Sequence, residues 1–187
     1  MKTRFIAITA LLIGSVSVTA QAEPYVGFGI GSASYKVNLT DLTGGSFEDN
    51  GTGTKLYGGY AFNKYFAAEA SVYNFAEASV GAVETSPGGP VVTDAAVSMK
   101  GVGAYAVGIY PVSKKIKLMA KLGVLSWDAD IRANNINRTN SGTDLAYALA
   151  ASYGFTKELH VTAEWEKFES DNPELSMLSV GFKFIFR

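Results

Sequence analysis

The chain has 187 residues with 16 basic and 17 acidic side chains, a formal net charge of −1, and no cysteine. That near-neutral balance offers no electrostatic footprint for nucleic acid, and the missing cysteine excludes disulfide staples, thiolate metal sites, a cysteine nucleophile and a lipid-bearing N-terminal cysteine. The 20 glycines, 10 tyrosines and 11 phenylalanines favour β structure with crowded turns and aromatic anchoring.

Met1-Lys2-Thr3-Arg4 forms a charged start, Phe5 to Val18 is a largely apolar run, and Ala20 and Ala22 match an A-x-A cleavage site. Residues 1–22 are therefore expected to be a secretory signal peptide, too short in its apolar run for a spanning helix, and 23–187 a single domain. Removing Lys2 and Arg4 with the leader takes the net charge from −1 to −3. No later segment holds ~18 consecutive apolar residues, so any membrane crossing must be made by strands.

Eight strands are expected, at 24–36, 53–62, 65–77, 96–110, 115–131, 144–155, 158–169 and 175–186, each longer than the ~9 to 11 residues that cross a hydrocarbon layer at a tilt. In the first, Val26, Phe28 and Ile30 alternate with Gly27, Gly29 and Gly31; in the sixth, Tyr147, Leu149, Ala151, Tyr153 and Phe155 alternate with Ala146, Ala148, Ala150, Ser152 and Gly154. Small residues facing an eight-stranded lumen leave room for a few long polar groups. Strand 96–110 has an ambiguous phase, because Tyr105, Val107 and Ile109 suit lipid by their chemistry. A β-bulge or one-residue shift there would turn Lys100 inward.

The eighth strand carries Leu178, Val180, Phe182, Phe184 and Phe186 on one face against Ser179, Gly181, Lys183, Ile185 and Arg187 on the other. That pattern fits lipid outside and a polar lumen inside, and resembles the aromatic-rich assembly signal of outer-membrane chains. To close a barrel it must pair with strand 24–36, since an open edge cannot persist in lipid.

The connections alternate in length. Asn63-Lys64, Val112-Ser113-Lys114 and Thr156-Lys157 are short, whereas Val37–Thr52, Ala78–Ala95, Arg132–Thr143 and Ser170–Glu174 are long. The short ones are expected to be periplasmic turns and the long ones, with Gly44-Gly45, Gly51, Gly53, Gly88-Gly89-Pro90 and Asn134-Asn135, flexible extracellular loops. Tyr60, Phe62, Tyr65, Phe66, Tyr110, Tyr153 and Phe155 gather near the short turns as a periplasmic aromatic girdle. Asp41, Glu48, Asp49, Glu84 and Asp94 match no calcium-loop spacing, and Gly27-Phe28-Gly29-Ile30-Gly31 lacks the helix of a dinucleotide fingerprint. No metal or cofactor is expected.

Tyr110-Pro111-Val112-Ser113 through Lys121-Leu122-Gly123 to Trp127-Asp128-Ala129-Asp130, with Gly58-Gly59-Tyr60, Phe155-Thr156, Ala163-Glu164-Trp165 and Met177-Leu178-Ser179-Val180-Gly181, resembles the transmembrane domain of the OmpA-like outer-membrane barrels. The resemblance implies an all-β, eight-stranded antiparallel up-and-down transmembrane β-barrel in the bacterial outer membrane. Its role would be structural or surface-interacting, among outer-membrane lipid and lipopolysaccharide, with barrel-assembly machinery and periplasmic chaperones during biogenesis and an extracellular partner through the loops. The peptidoglycan-binding domain of larger members is not expected here.

Family barrels also carry a lumenal charge network, onto which Glu69, Lys121 and Glu164 fall, while Val107 and Thr162 stand where the family has basic residues. The network is therefore not carried over whole; the resemblance turns Val107 inward against its lipid-like chemistry, and the bulge or shift that reconciles the two would place Lys100 inside. A lumenal carboxylate must pair or protonate, so Glu69 and Glu164 should meet Lys121 or Lys100. The alternative function is a narrow porin-like channel in which Lys121 swings between the two glutamates. Two rivals remain: a lipid A-modifying enzyme, for which the sole histidine His160 would have to lie at the outer leaflet, and a soluble lipocalin-like barrel, whose apolar face would point inward.

Overall fold

A computed structural model describes residues 22–38, 46–84, 91–133, 136–169 and 174–187. The expected leader, apart from Ala22, and Gly44-Gly45, Gly88-Gly89-Pro90 and Asn134-Asn135 lie outside the described residues. The strands are β1 Glu23–Asn38, β2 Ser46–Ala61, β3 Phe66–Glu84, β4 Val91–Pro111, β5 Ile116–Ala133, β6 Ile136–Gly154, β7 Leu159–Glu169 and β8 Glu174–Ile185. Each pairs antiparallel with the next, and β8 returns to β1 from Tyr25 opposite Ile185 to Lys36 opposite Glu174. This closed barrel matches the expected architecture and has no free edge.

The three short connections share one local design. In each, a side-chain oxygen accepts two backbone N–H bonds: Asn63 Oδ1 from Tyr65 (2.7 Å) and Phe66 (3.0 Å), Ser113 Oγ from Lys115 (3.2 Å) and Ile116 (3.0 Å), and Thr156 Oγ1 from Glu158 (3.2 Å) and Leu159 (2.9 Å). The N–H before that residue then bonds across the turn, Phe62 to the Phe66 carbonyl, Val112 to that of Ile116 and Phe155 to that of Leu159, each at 3.0 Å. Asn, Ser and Thr suit this role because their short side chains mimic a backbone carbonyl. Each is followed by a lysine, so Lys64, Lys114 and Lys157 line one rim.

At the other end the strands outrun their expected limits. Glycines 51 and 53 lie within β2, and β3 and β4 take in much of the segment expected as loop. β4, with 21 residues, measures roughly 70 Å at ~3.3 Å per residue, well beyond a bilayer. Cross-strand backbone pairing continues there, from Ala78 opposite Val97 to Glu84 opposite Val91 in β3–β4 and to Ala133 opposite Ile136 in β5–β6. A β-bulge between Phe75 and Ala78 interrupts the β3–β4 ladder, but it leaves the phase of β4 unchanged. Tyr105 and Val107 point inward and Lys100 outward, which corrects both the lipid-facing expectation for the first two and the lumenal one for the third. Ile109 is half-buried against the interior.

Outside, apolar side chains span from the girdle residues to a polar collar that includes Thr54, Asn74, Lys100, Ser126 and Thr143. From Tyr110 to Lys100, β4 covers roughly 33 Å, about 25 Å of depth at the usual tilt, the height of an outer-membrane apolar band. Lys100 thus stands at an interface, across from Asp128 on β5. Inside, rings fill the space that glycines leave. Tyr57 packs over its cross-strand partner Gly27 and Tyr25 over Gly59, where an added Cβ would strike the ring.

Candidate functional site in the barrel lumen

Long charged side chains reach the barrel axis only from positions of lumenal parity, and five of them meet at its centre. Lys121 on β5 donates to Glu69 Oε1 on β3 (2.5 Å) and to Glu164 Oε2 on β7 (2.9 Å). Lys55 on β2 lies 2.7 Å from Glu164 Oε1 and donates to Glu166 Oε2 on β7 at 2.9 Å. Glu164 Oε1 lies off hydrogen-bonding angles, yet it touches both ammonium groups, at 2.7 and 2.9 Å. It is ion-paired, not orphaned.

Tyrosines complete the coordination. Tyr25 donates to Glu69 Oε2 (3.0 Å) and Tyr73 to Glu166 Oε1 (2.7 Å), with Tyr105 hydroxyl 2.8 Å from that of Tyr73. The Tyr57 ring sits between the lysines, its centroid 5.3 Å from Lys55 Nζ and 5.2 Å from Lys121 Nζ. Two lysines against three carboxylates leave an excess negative charge, and Lys183, one layer nearer the short turns, faces the same lumen. Among the described residues Lys183 has no carboxylate partner; its Nζ is 3.7 Å from Met119 Sδ and 5.2 Å from the Tyr25 ring.

The structure therefore brings Glu69, Lys121 and Glu164 together and leaves Lys100 outside. Lys121 touches both glutamates at once, so the swing between them that a gate would use is not a pair of separate contacts. Lys55 and Glu166 were absent from the expected set. Glu166 shares the parity of Glu164, which was the available signal; Lys55 sits in a strand of mixed tyrosines and glycines whose phase was harder to read.

Above the charges, on the side of the long hairpins, Phe75, Phe168, Leu125 and Met177 form an apolar layer, each 0–1 % exposed. Its rings pack tightly, Tyr73 stacked on Phe75 and Phe168 set edge-on to both. Below, His160 Nδ1 lies 3.2 Å from Ser152 Oγ, both buried in the lumen at the short-turn end. Seven girdle residues, Tyr60, Phe62, Tyr65, Phe66, Tyr110, Tyr153 and Phe155, are exposed on the outer face, as are Leu178, Val180, Phe182, Phe184 and Phe186 of β8.

A family model described as the outer membrane protein beta-barrel domain matches residues 6–186. The chain belongs to the outer-membrane β-barrel family. Outer membrane protein A of Escherichia coli O157:H7 is 27% identical over 200 residues, covering 100% of this chain and 55% of that protein. The chain thus spans about half the length of the curated relatives it matches. Among solved structures, Neisserial surface protein A aligns with a TM-score of 0.64 at 16% identity, over 87% of this chain and 97% of that one. Ail, the attachment invasion locus protein of Yersinia pestis, solved with the heparin analogue sucrose octasulfate, aligns with a TM-score of 0.59 at 18% identity, over 87% and 99%. As an outer-membrane β-barrel the protein resides in the bacterial outer membrane. Its exposed apolar band is its lipid contact, which excludes the lipocalin-like alternative.

Proposed function

We propose that this barrel is a non-enzymatic structural and surface-displaying component of the outer membrane whose lumen is sealed against ions. The observation that carries this reading is the double closure of the lumen: Lys55 and Lys121 are held among three glutamates, and the layer of Phe75, Phe168, Leu125 and Met177 lies over them. An ion passing through would have to part both layers. Refolded barrel in a planar bilayer should give no current steps above the bare bilayer; stable open steps from the wild-type protein would establish the gated channel instead.

Catalysis by Ser152 and His160 is disfavoured by their place. They face the lumen at the short-turn end, away from the outer leaflet where lipid A lies, and no described carboxylate bonds the imidazole. Surface contact falls instead to the hairpins beyond the polar collar. Their sequence holds Asp41, Glu48, Asp49, Glu77, Glu84, Asp94, Asp130, Asp171 and Glu174 against Lys36, Arg132 and Arg138, so a polyanion such as the ligand of Ail is a poor match and a cationic or neutral partner a better one. Lipopolysaccharide surrounds the outer half, and the apolar row of β8 serves as the signal read by the assembly machinery after chaperone transfer through the periplasm.

A further inference from the structure

On the lipid face, the periplasmic half of β3, β4 and β5 carries the small residues Ala68, Ala104, Ala106, Gly108 and Ala120, set among the larger Phe66, Leu118 and Leu122. The result is two adjoining apolar grooves, of about 480 and 390 Å³, whose linings share Phe66, Gly108 and Ala120. The larger is flanked by Tyr65, Tyr110 and Leu149; the smaller by Phe62 and Leu122.

The grooves run from Phe62, Tyr65 and Phe66 at the first short turn across β4 to Leu118 and Leu149, next to the Val112–Ile116 turn. Those two turns carry Lys64, Lys114 and Lys115 and no acid, whereas in the third turn Glu158 offsets Lys157. Lys64 Nζ stands 4.8 Å from the centroid of Tyr65, a groove-lining ring, so a cation is held at the mouth.

We infer that this face is a binding site for one diacyl glycerophospholipid of the periplasmic leaflet with an anionic headgroup, its two acyl chains in the paired grooves and its phosphate against Lys64, Lys114 and Lys115. The inference rests on the membrane reading of the barrel. Two adjoining apolar grooves that share part of their lining match the one common membrane component that has two chains. A cationic, acid-free rim sits where its headgroup must lie, and basic side chains at a membrane surface attract anionic lipid. A second copy of the chain would also cover an apolar face, but it would bring its own Lys64 and Lys114 against these.

The test is native mass spectrometry of the refolded barrel, equilibrated with equal phosphatidylglycerol and phosphatidylethanolamine and released from mild detergent, with heat-modifiable gel migration run on every sample. One retained phosphatidylglycerol per barrel is expected, at several-fold preference over phosphatidylethanolamine. Ala120→Leu, which puts a larger side chain into the shared lining, should abolish retention, and Lys64→Gln/Lys114→Gln/Lys115→Gln, which alters only exposed turns, should remove the headgroup preference. Equal retention by Ala120→Leu, an unchanged preference in the triple variant, or a dimer mass in place of the lipid overturns the inference while the barrel reading stands. Loss of heat-modifiable migration by the wild type would instead remove the membrane reading itself.

Discussion

Lys121→Met is expected to destabilise the barrel by about 3–5 kcal/mol, read as a lowered urea midpoint for unfolding from lipid vesicles. Methionine keeps most of the volume of the lysine stem but removes the ammonium that Glu69 and Glu164 share. Among the described residues Glu69 then keeps the Tyr25 and Ser71 hydroxyls, at 3.0 and 3.4 Å, and Glu164 falls back on Lys55. Removing one partner of a buried ion pair leaves an uncompensated charge, and that penalty exceeds the net worth of the pair itself. Adding Glu69→Gln to Lys121→Met should therefore recover part of the loss, because the stranded carboxylate is gone. The recovery defines a coupling that a double-mutant cycle measures directly. A single-variant loss below about 1 kcal/mol would mean that the network is incidental to stability.

The second large effect is on the opposite surface. Phe182 of β8 is 59 % exposed to a solvent probe, and in a soluble protein such a residue accepts arginine with little consequence. Here the solvent at that depth is hydrocarbon, so Phe182→Arg should cost about 2–4 kcal/mol, whereas the same change at Phe186, near the interface, should cost about 0–1 kcal/mol. Denaturant titration of the two variants in vesicles gives the comparison. Equal and small effects would place β8 in water. The depth gradient is what separates a membrane barrel from a soluble one, because burial in the protein does not distinguish these two positions.

How much was legible in the sequence depends on which physical rule governed each residue. Period-two alternation in β1, β6 and β8 is set by the demand that one face meet lipid, so Val26, Leu149 and Phe182 declared their direction at once. The three short turns were legible because Asn63-Lys64, Val112-Ser113-Lys114 and Thr156-Lys157 are brief polar breaks between long alternating runs; the backbone-capping role of Asn63, Ser113 and Thr156 was not. β4 misled because its lumenal Tyr105 and Val107 are as apolar as lipid-facing residues. Their inward placement follows from register with β3 and β5, Tyr105 opposite Glu69 and Val107 opposite Lys121, and pairing is invisible in one strand alone. Lys100 followed the wrong phase with them. Lys55 went unnoticed because its strand alternates tyrosine and glycine on both faces. The extension of β2 to β6 beyond the bilayer was hidden too, because strands in water need no apolar face and so carry no hydropathy signal.

The central claim, that an alternating wall separates lipid from a packed charged lumen, is tested most directly along β8. With no native cysteine in the chain, single cysteines at each position from 176 to 185 can carry a nitroxide label in vesicle-inserted barrel without background. Accessibility to dissolved oxygen should peak at 178, 180, 182 and 184, with a polar nickel reagent excluded there, and labels at 177, 179, 181 and 183 should be protected from both. Uniform accessibility along the strand, or nickel reaching 180 and 182 as freely as a soluble nitroxide, would contradict it.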